Sequence, residues 1–365
     1  MEICIITCNR ANNYGARLQA YALWRHLTEL GHDARVIDYC PPYLDFHTRL
    51  FFNPGLNVKE WAKLVLRYNE RLCYITKFEN LQGFSRSMTR LTPVTYTSIE
   101  ELRANPPKAD AYIAGSDQIW NTTFANGRDP AFYLDFGDDN TLRISYAASF
   151  ATQDIANGYT DLVNRGLRRF DAVSVRESSG KHITDSLGIK ANICCDPAFL
   201  LDRSQWDEIC SAEKTVHKFV LVYDFERSRE VREVAKRIAH ARGLKIFTIS
   251  NRPLRYGARD FSDCTPGEFL RLIKDADCVV SNSLHGTIFS LIYGKDFYVV
   301  DRADGLNVRM HDLVHHYGLD HRLISPSADN ATLQSGIDYT KVYPKLQSDI
   351  SESKKWLTSQ LILKQ

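Results

Sequence analysis

Short apolar runs alternate with longer helical patterns along most of the chain, and this alternation restricts the fold more than any other feature. EICIIT (2–7), DARVIDY (33–39), DAYIAG (110–115), RISYAAS (143–149), DAVSVR (171–176) and ANICCD (191–196) stand in the first half. KFVLVYDF (218–225), LKIFTIS (244–250), DCVVSN (277–282) and DFYVVD (296–301) stand in the second. Helical spacing fills the stretches near 16–29, 228–242, 266–274 and 286–293. Strands that are apolar throughout are buried on both faces, and helical crossovers between them make neighbouring strands parallel. The expected class is α/β, with two Rossmann-like doubly wound domains. In open parallel sheets ligands bind outside the carboxyl ends of the strands, so two such domains are expected to face a cleft.

The 365 residues exceed one small core and suit two domains. We place the first at 1–200, with a helical insertion at about 41–107 on the acceptor side, and the second at 201–330 on the donor side. Residues 197–216 are expected as a linker. The tail, 331–365, has a Trp356, Leu357, Leu361 face suited to packing back on the first domain. A net charge of +2 argues against a nucleic-acid partner. The start, MEICIITCNRANNYG, is expected as a first strand and not a leader, and no stretch reaches the roughly 18 apolar residues of a membrane helix. A cytoplasmic protein follows as the expectation, working at the inner face of the membrane if its substrate is anchored there. The nine scattered cysteines form no CxxC pair and fit buried free thiols.

Five loops following apolar runs carry chemistry-bearing residues. In CNRANNYG (8–15), Asn13 and Gly15 suit either an anion site at a helix N-terminus or ordinary capping. In AGSDQIWN (114–121), Ser116, Asp117, Gln118 and Asn121 offer hydrogen bonds to a ligand, or Ser116 or Asp117 caps a turn. In SVRESSG (174–180), Arg176 ends a strand, where its planar fork suits a phosphate or carboxylate, or an ion pair with Glu177 or an aspartate. In SNSLHGTIFS (281–290), Ser283 closes a buried strand, His285 opens a helix and Gly286 permits close approach. A histidine beside free helix amides can transfer a proton near neutral pH. The last loop, DRADGLNVRMHDLVHHYGL (301–319), contributes Arg302 and Arg309 as anion contacts; His311 and His315 share a helical face without a third ligand, so no metal is expected.

Taken in order, NYGARLQAYAL, AGSDQIWN, SYAASF, SVRESSG, CCDPAFLL and ADCVVSNSLHGTIFSLIYGKDF resemble the polysaccharide pyruvyl transferase family over most of residues 1–320. The resemblance implies a GT-B-like fold, with two Rossmann-like domains around a cleft. It implies transfer of pyruvate from phosphoenolpyruvate onto a sugar as a cyclic ketal, in the making of capsule, exopolysaccharide or cell-wall glycan. It implies phosphoenolpyruvate as co-substrate, a lipid-linked or nucleotide-linked sugar as acceptor, and no cofactor. The family's late histidine matches His285, and its arginine matches Arg176; these are the catalytic candidates. Asn13, Gly15, Ser283, Gly286, Arg302 and Arg309 are candidates for the donor, and Ser116, Asp117, Gln118 and Asn121 for the acceptor. Asp117 or Asp196 could orient the acceptor hydroxyls. Better-studied members carry arginine where this chain has Ser283, so that anion contact is missing or comes from Arg176, Arg302 or Arg309.

Two other functions fit the same pattern: a glycosyltransferase using a nucleotide sugar, and a non-catalytic paralogue. Within the insertion, Phe51, Phe52, Trp61, Arg67, Tyr68, Arg71 and Tyr74 fit helix packing, an acceptor groove or a peripheral membrane contact.

Overall fold

A computed structural model of the chain describes residues 1–45, 67–213, 215 and 217–362. It divides into two compact units. Unit 1 comprises Met1–Asp45, Phe84–Leu201 and Tyr343–Gln365, and unit 2 comprises Phe46–Gly83 and Asp202–Val342. The chain forms β1 (Glu2–Ile6), α1 (Tyr14–Glu29), β2 (Asp33–Tyr39), α2 (Tyr68–Met88), β3 (Leu91–Tyr96), α3 (Ile99–Ala104), β4 (Ala111–Ala114), β5 (Leu142–Ala148), α4 (Thr160–Leu167), β6 (Ala172–Val175), α5 (Ser178–Ser186) and β7 (Ala191–Ile193). It continues through α6 (Arg203–Ile209), β8 (Phe219–Asp224), α7 (Arg229–Arg242), β9 (Lys245–Ser250), β10 (Arg259–Asp260), α8 (Pro266–Asp275), β11 (Cys278–Ser281), α9 (Leu284–Tyr293), β12 (Asp296–Val299), α10 (Val308–His316), α11 (Asn330–Gln334) and α12 (Tyr339–Ile362).

The sheet of unit 1 has the order β3-β2-β1-β4-β5-β6-β7, and that of unit 2 the order β10-β9-β8-β11-β12. Every strand pair is parallel. Each order reverses direction once, between β1 and β4 and between β8 and β11. At such a reversal the two crossovers leave in opposite directions, and the loops beyond the carboxyl ends part to leave room for a ligand. CNRANNYG and AGSDQ flank the reversal in unit 1, and DFERS and SNSLHG flank it in unit 2.

The strands supply apolar side chains to both faces. Ile3, Ile5, Val36, Ile113 and Ile144 pack with Leu23 and Leu27 of α1, and Leu357 and Leu361 of α12 join the same core. Ser353 of α12 accepts a hydrogen bond from the Cys195 amide at 2.9 Å. In unit 2, Val220, Val222, Cys278 and Val280 pack against Val231, Val234 and Ile238 of α7. The cysteines of the described residues are free, and burial pushes the Cys4, Cys194 and Cys278 thiols up to about 12. Among the described residues no helix is long and apolar enough to cross a membrane.

One boundary differs from expectation. The segment 41–107 is not one helical insertion of the first domain. Its described residues 67–83 belong to unit 2, whereas β3 and α3 build unit 1, with β3 on its sheet edge. The β3 sequence LTPVTY has a mostly exposed middle. An edge strand tolerates proline and needs no continuous apolar run, which is why its signal was weak. Phe51, Phe52 and Trp61 lie outside the described residues; Arg67 and Tyr68 are exposed, and Arg71 and Tyr74 half-buried. The stretch 197–216, expected as the linker, holds the division between the units, at Leu201 and Asp202. Pro197–Leu200 forms a buried turn in unit 1, and α6 begins at once with a capping box of Asp202 and Gln205. Its Trp206 packs edge-on against Phe289 at 5.0 Å.

Candidate functional site

In unit 1 the carboxyl edge is organised around Arg176, at the end of β6. Its Nη1 donates to Asp196 Oδ2 at 2.5 Å and to Ser116 Oγ at 3.2 Å. Asp117 lies 4.0 Å from Nη2 and Glu177 3.8 Å from Nε. Burial would depress this guanidinium, but Asp196, Glu177 and Asp117 outweigh it and hold the pKa above its ordinary value. Of the two readings of Arg176, the geometry therefore displays the ion pair. Three carboxylates around one cation leave an excess of negative charge, which repels the phosphate that Arg176 was expected to grip.

These carboxylates have distinct structural duties. Glu177 Oε1 accepts from Ser149 Oγ at 2.8 Å and from the Phe150 and Ala151 amides, both at 3.0 Å. It thereby clamps the end of β5, where Ala147 and Ala151 have φ of 50° and 58°. Asp196 caps the following turn through Ala198 N at 3.0 Å. Asp117 has φ 76°, strained for a non-glycine residue. Its side chain is 16% exposed, against 2% for Asp196 and Glu177. Asp117 is thus the carboxylate of the cluster that solvent reaches. Ser116 and Asn121 are fully buried; Asn121 bonds Gln118 at 3.1 Å and Thr123 Oγ1 at 2.6 Å. Gln118 is half-buried.

The NNYG loop follows the capping reading. Asn13 Oδ1 accepts from Ala16 N at 3.2 Å, and Gly15 lies buried in the first turn of α1. The loop's cations are ones the sequence did not single out. Arg10 grips Asp38 with two bonds, at 2.7 and 2.5 Å. Arg17, fully buried, bonds the Ala11 carbonyl and Ser85 Oγ, and burial and the like charge of Arg10 depress it to about 9. Both look like ordinary loop and helix positions until the neighbouring strands are in place.

In unit 2 the edge is built on β8 and β11. Ser281 Oγ donates to the Tyr223 carbonyl at 2.8 Å and accepts from the Ser283 amide at 3.0 Å. Asn282 joins the two strand ends, accepting from Phe225 N at 2.9 Å and donating to Asp224 at 2.8 Å. Asp224 also accepts from the Glu226 and Ser228 amides, while its burial raises its pKa. Ser283 is the N-cap of α9, with extended backbone, yet its side chain makes no capping bond. The first amides of α9 are therefore not covered by a side-chain cap, which leaves the positive end of the helix dipole to a ligand. His285, 5% exposed, stands in that first turn. Gly286 has no substitute there, since a Cβ would come within 2.6 Å of Ser281 Oγ and 3.2 Å of Tyr223 Cδ1.

The structure thus brings Ser283, His285 and Gly286 together, with Tyr223 and Asp224 as additional members that sequence reasoning missed. They end the run KFVLVYDF, and the polar pair after four apolar residues was the available signal. Arg302 lies beside this edge, but Glu226 stands 3.6 Å from its Nε, Asp304 pairs with it, and Phe225 lies under it at 5.6 Å. Arg309 is buried in α10. His311 bonds Asp301 at 2.6 Å and His315 bonds Asp320 at 3.0 Å. Among the described residues no three His, Cys, Asp or Glu side chains are grouped to hold a metal.

Comparison with known proteins adds to this geometry. No curated protein matches the chain. In fold it is similar to a protein assigned as UDP-N-acetylglucosamine 2-epimerase from Listeria monocytogenes, with a TM-score of 0.53 and 10% identity over 97% of this chain and 89% of that one. It is also similar to the UDP-GlcNAc 2-epimerase of Methanocaldococcus jannaschii in complex with UDP-GlcNAc and UDP (TM-score 0.48, 13% identity, 99% of each chain). CalG4, the calicheamicin glycosyltransferase, follows at a TM-score of 0.42 and 14% identity, over 99% of this chain and 98% of that one. The first of these likenesses concerns the fold alone, and with the two parallel sheets it gives the class as α/β of the GT-B kind. The model of one family, polysaccharide pyruvyl transferase, matches residues 13–304. That stretch includes Arg176 and its carboxylates and the β11–α9 turn, and the chain belongs to the polysaccharide pyruvyl transferase family and is a transferase.

Proposed function

We propose that the protein moves pyruvate from phosphoenolpyruvate onto two hydroxyls of a sugar, as a cyclic ketal, in the synthesis of a bacterial surface glycan. The observation that carries this reading is the first turn of α9, where amides not capped by a side chain adjoin a buried histidine. Helix amides hold an anionic group of the donor. His285, protonated, gives its proton to the methylene carbon, and the adjacent carbon becomes oxocarbenium-like. One sugar hydroxyl adds there, its proton restoring the one the imidazole gave; the second then displaces phosphate, passes its proton to it and closes the ketal. The products are the ketal and inorganic phosphate. No metal or cofactor takes part. The acceptor is assigned to the sheet edge of unit 1, where excess negative charge suits hydroxyls better than phosphates. Asp117, the carboxylate of that cluster which solvent reaches, binds them, with Gln118 beside it. The protein works in the cytoplasm, at the membrane's inner face where the acceptor is lipid-linked.

Ser283 supports a second reading, a glycosyltransferase whose nucleotide-sugar diphosphate lies on the same helix amides. Thermal unfolding with each ligand separates the two. Phosphoenolpyruvate at 100 times its dissociation constant should stabilise the protein by about 2.7 kcal/mol. A shift with a nucleoside diphosphate and none with phosphoenolpyruvate sinks the first reading. Replacing His285→Gln should lower ketal formation about 10²–10⁴-fold while the donor still binds.

A further inference from the structure

Unit 1 carries a cavity on the edge of its sheet opposite Arg176. Arg103 stands near the end of α3, which leads into β4; Asp135 precedes β5, and Arg169 precedes β6. In a parallel sheet the segments that enter the strands lie at the amino edge. Ser116, Asp117 and Arg176 follow β4 and β6, at the carboxyl edge. Those strands have four residues each, which at about 3.3 Å per residue hold the two edges roughly 13 Å apart. At the amino edge Arg103, Asp135 and Arg169 line a cavity of about 410 Å³ together with Arg165, Leu162 and Tyr133. Gly166 lets α4 close on its wall, since a Cβ there would come within 2.4 Å of Tyr133 Cδ1. Tyr133 donates its hydroxyl to the Gly127 carbonyl at 2.8 Å, and with Leu162 it forms an apolar part of the lining.

Three guanidiniums line this cavity against one carboxylate, an excess of two positive charges. Asp135 is shared by two of them. Arg103 Nη2 pairs with it, Arg103 Nε donates to its carbonyl at 3.1 Å, and Arg169 Nη1 lies 3.2 Å from Oδ1. One carboxylate cannot satisfy two forks of five donors, and Arg169 Nε is buried without a hydrogen bond among the described residues. Arg165 makes no hydrogen bond or ion pair among the described residues. Asp139, 3.9 Å from Arg169 Nη2, is 96% exposed and strongly screened by water. Arg143 adds positive charge nearby: its side chain donates to the carbonyls of Leu134, Phe136 and Asp138, and burial, then the charge of Arg169, lowers its pKa. We propose that the cavity binds an organic phosphate, whose dianion meets Arg165, Arg169 and Arg103 and whose body lies against Tyr133 and Leu162. Guanidinium forks match phosphate oxygens. A monoester carries close to two negative charges near neutral pH, which is the excess found here. The volume falls within the range of small-molecule sites and exceeds what bare phosphate fills. Arg103 and Arg165 are exposed, so the site opens to solvent. A soluble ester and a lipid headgroup present the same group to it.

Calorimetric titration with phenyl phosphate, in a chloride buffer near neutral pH, tests this on wild type, Arg165→Met and Arg165→Glu. Wild type should bind the ester. Arg165→Met should weaken that binding about tenfold, the loss of one charge-assisted contact, and Arg165→Glu should bind one molecule fewer per chain. Benzoate, with the same ring and a single charge, should bind wild type at least about tenfold more weakly. Arg165 has no structural partner to lose, so both variants should keep the near-ultraviolet circular dichroism of wild type. Absence of binding by wild type overturns the proposal, as does unchanged binding in Arg165→Glu, which would put the ester elsewhere. Equal affinity for benzoate overturns the assignment to a phosphate. Cosedimentation with phosphatidylcholine vesicles containing phosphatidic acid separates the two sources. Capture of wild type but not of Arg165→Glu supports the site with a lipid headgroup as its ligand; binding of phenyl phosphate without capture supports it with a soluble ester.

Discussion

Arg176 illustrates how one side chain can hold a family position and serve a different purpose. Its guanidinium ties the end of β6 to Asp196 and Ser116 and faces Glu177 and Asp117. Removing it leaves buried carboxylates without their countercharge, a change that costs about 3–5 kcal/mol in comparable buried pairs. Arg176→Met should therefore lower the stability of unit 1 by that order in denaturant unfolding, and Arg176→Lys should recover little, since one ammonium cannot reach four partners. A stability within 1 kcal/mol of wild type would show that the cage is not a framework. His285 was legible as a candidate because DCVV runs directly into SNSLHG. The cage was not, since Ser116, Asp117 and Asp196 lie 60, 59 and 20 positions away in sequence.

At the scale of elements, α9 depends on a close approach at Gly286 that only glycine permits. A Cβ at Gly286 meets Ser281 Oγ at 2.6 Å, whereas one at Gly115 meets Thr7 Cβ at 3.2 Å. Overpacking costs about 1–3 kcal/mol when neighbours must move. Gly286→Ala displaces the strand end that positions Ser283, so donor affinity should fall about tenfold in calorimetry. Gly115→Ala should leave donor affinity unchanged. Equal effects of the two would remove the special status of the β11–α9 turn. The elements themselves were legible from apolar runs and from caps such as Asn13. β3 was not, because an edge strand exposes half its residues.

For the molecule as a whole, acid should act first through groups buried neutral. His26 of α1 is 7% exposed, and burial, then the charge of Lys354 on α12, lowers it from 6.5 to about 4. The unfolded chain binds a proton below pH 6.5 that the folded chain refuses until about pH 4. Stability therefore falls as the pH drops through that window, by up to about 3 kcal/mol at 1.36 kcal/mol per unit. His26→Gln should flatten the thermal midpoint of unit 1 between pH 6.5 and 4. An unchanged slope would show that His26 does not govern this acid response.

The sequence alone determined the α/β class, the parallel strands and the placing of SNSLHG and AGSDQ at strand carboxyl ends, because these follow from the period of apolar residues and from the residues that stop strands and start helices. Only the tertiary structure decided that Arg176 is enclosed by carboxylates and that residues 67–83 belong to the second unit. Those outcomes depend on which distant segments share a sheet edge. Local periodicity carries no record of that choice; burial and charge pairing across the sheets select it.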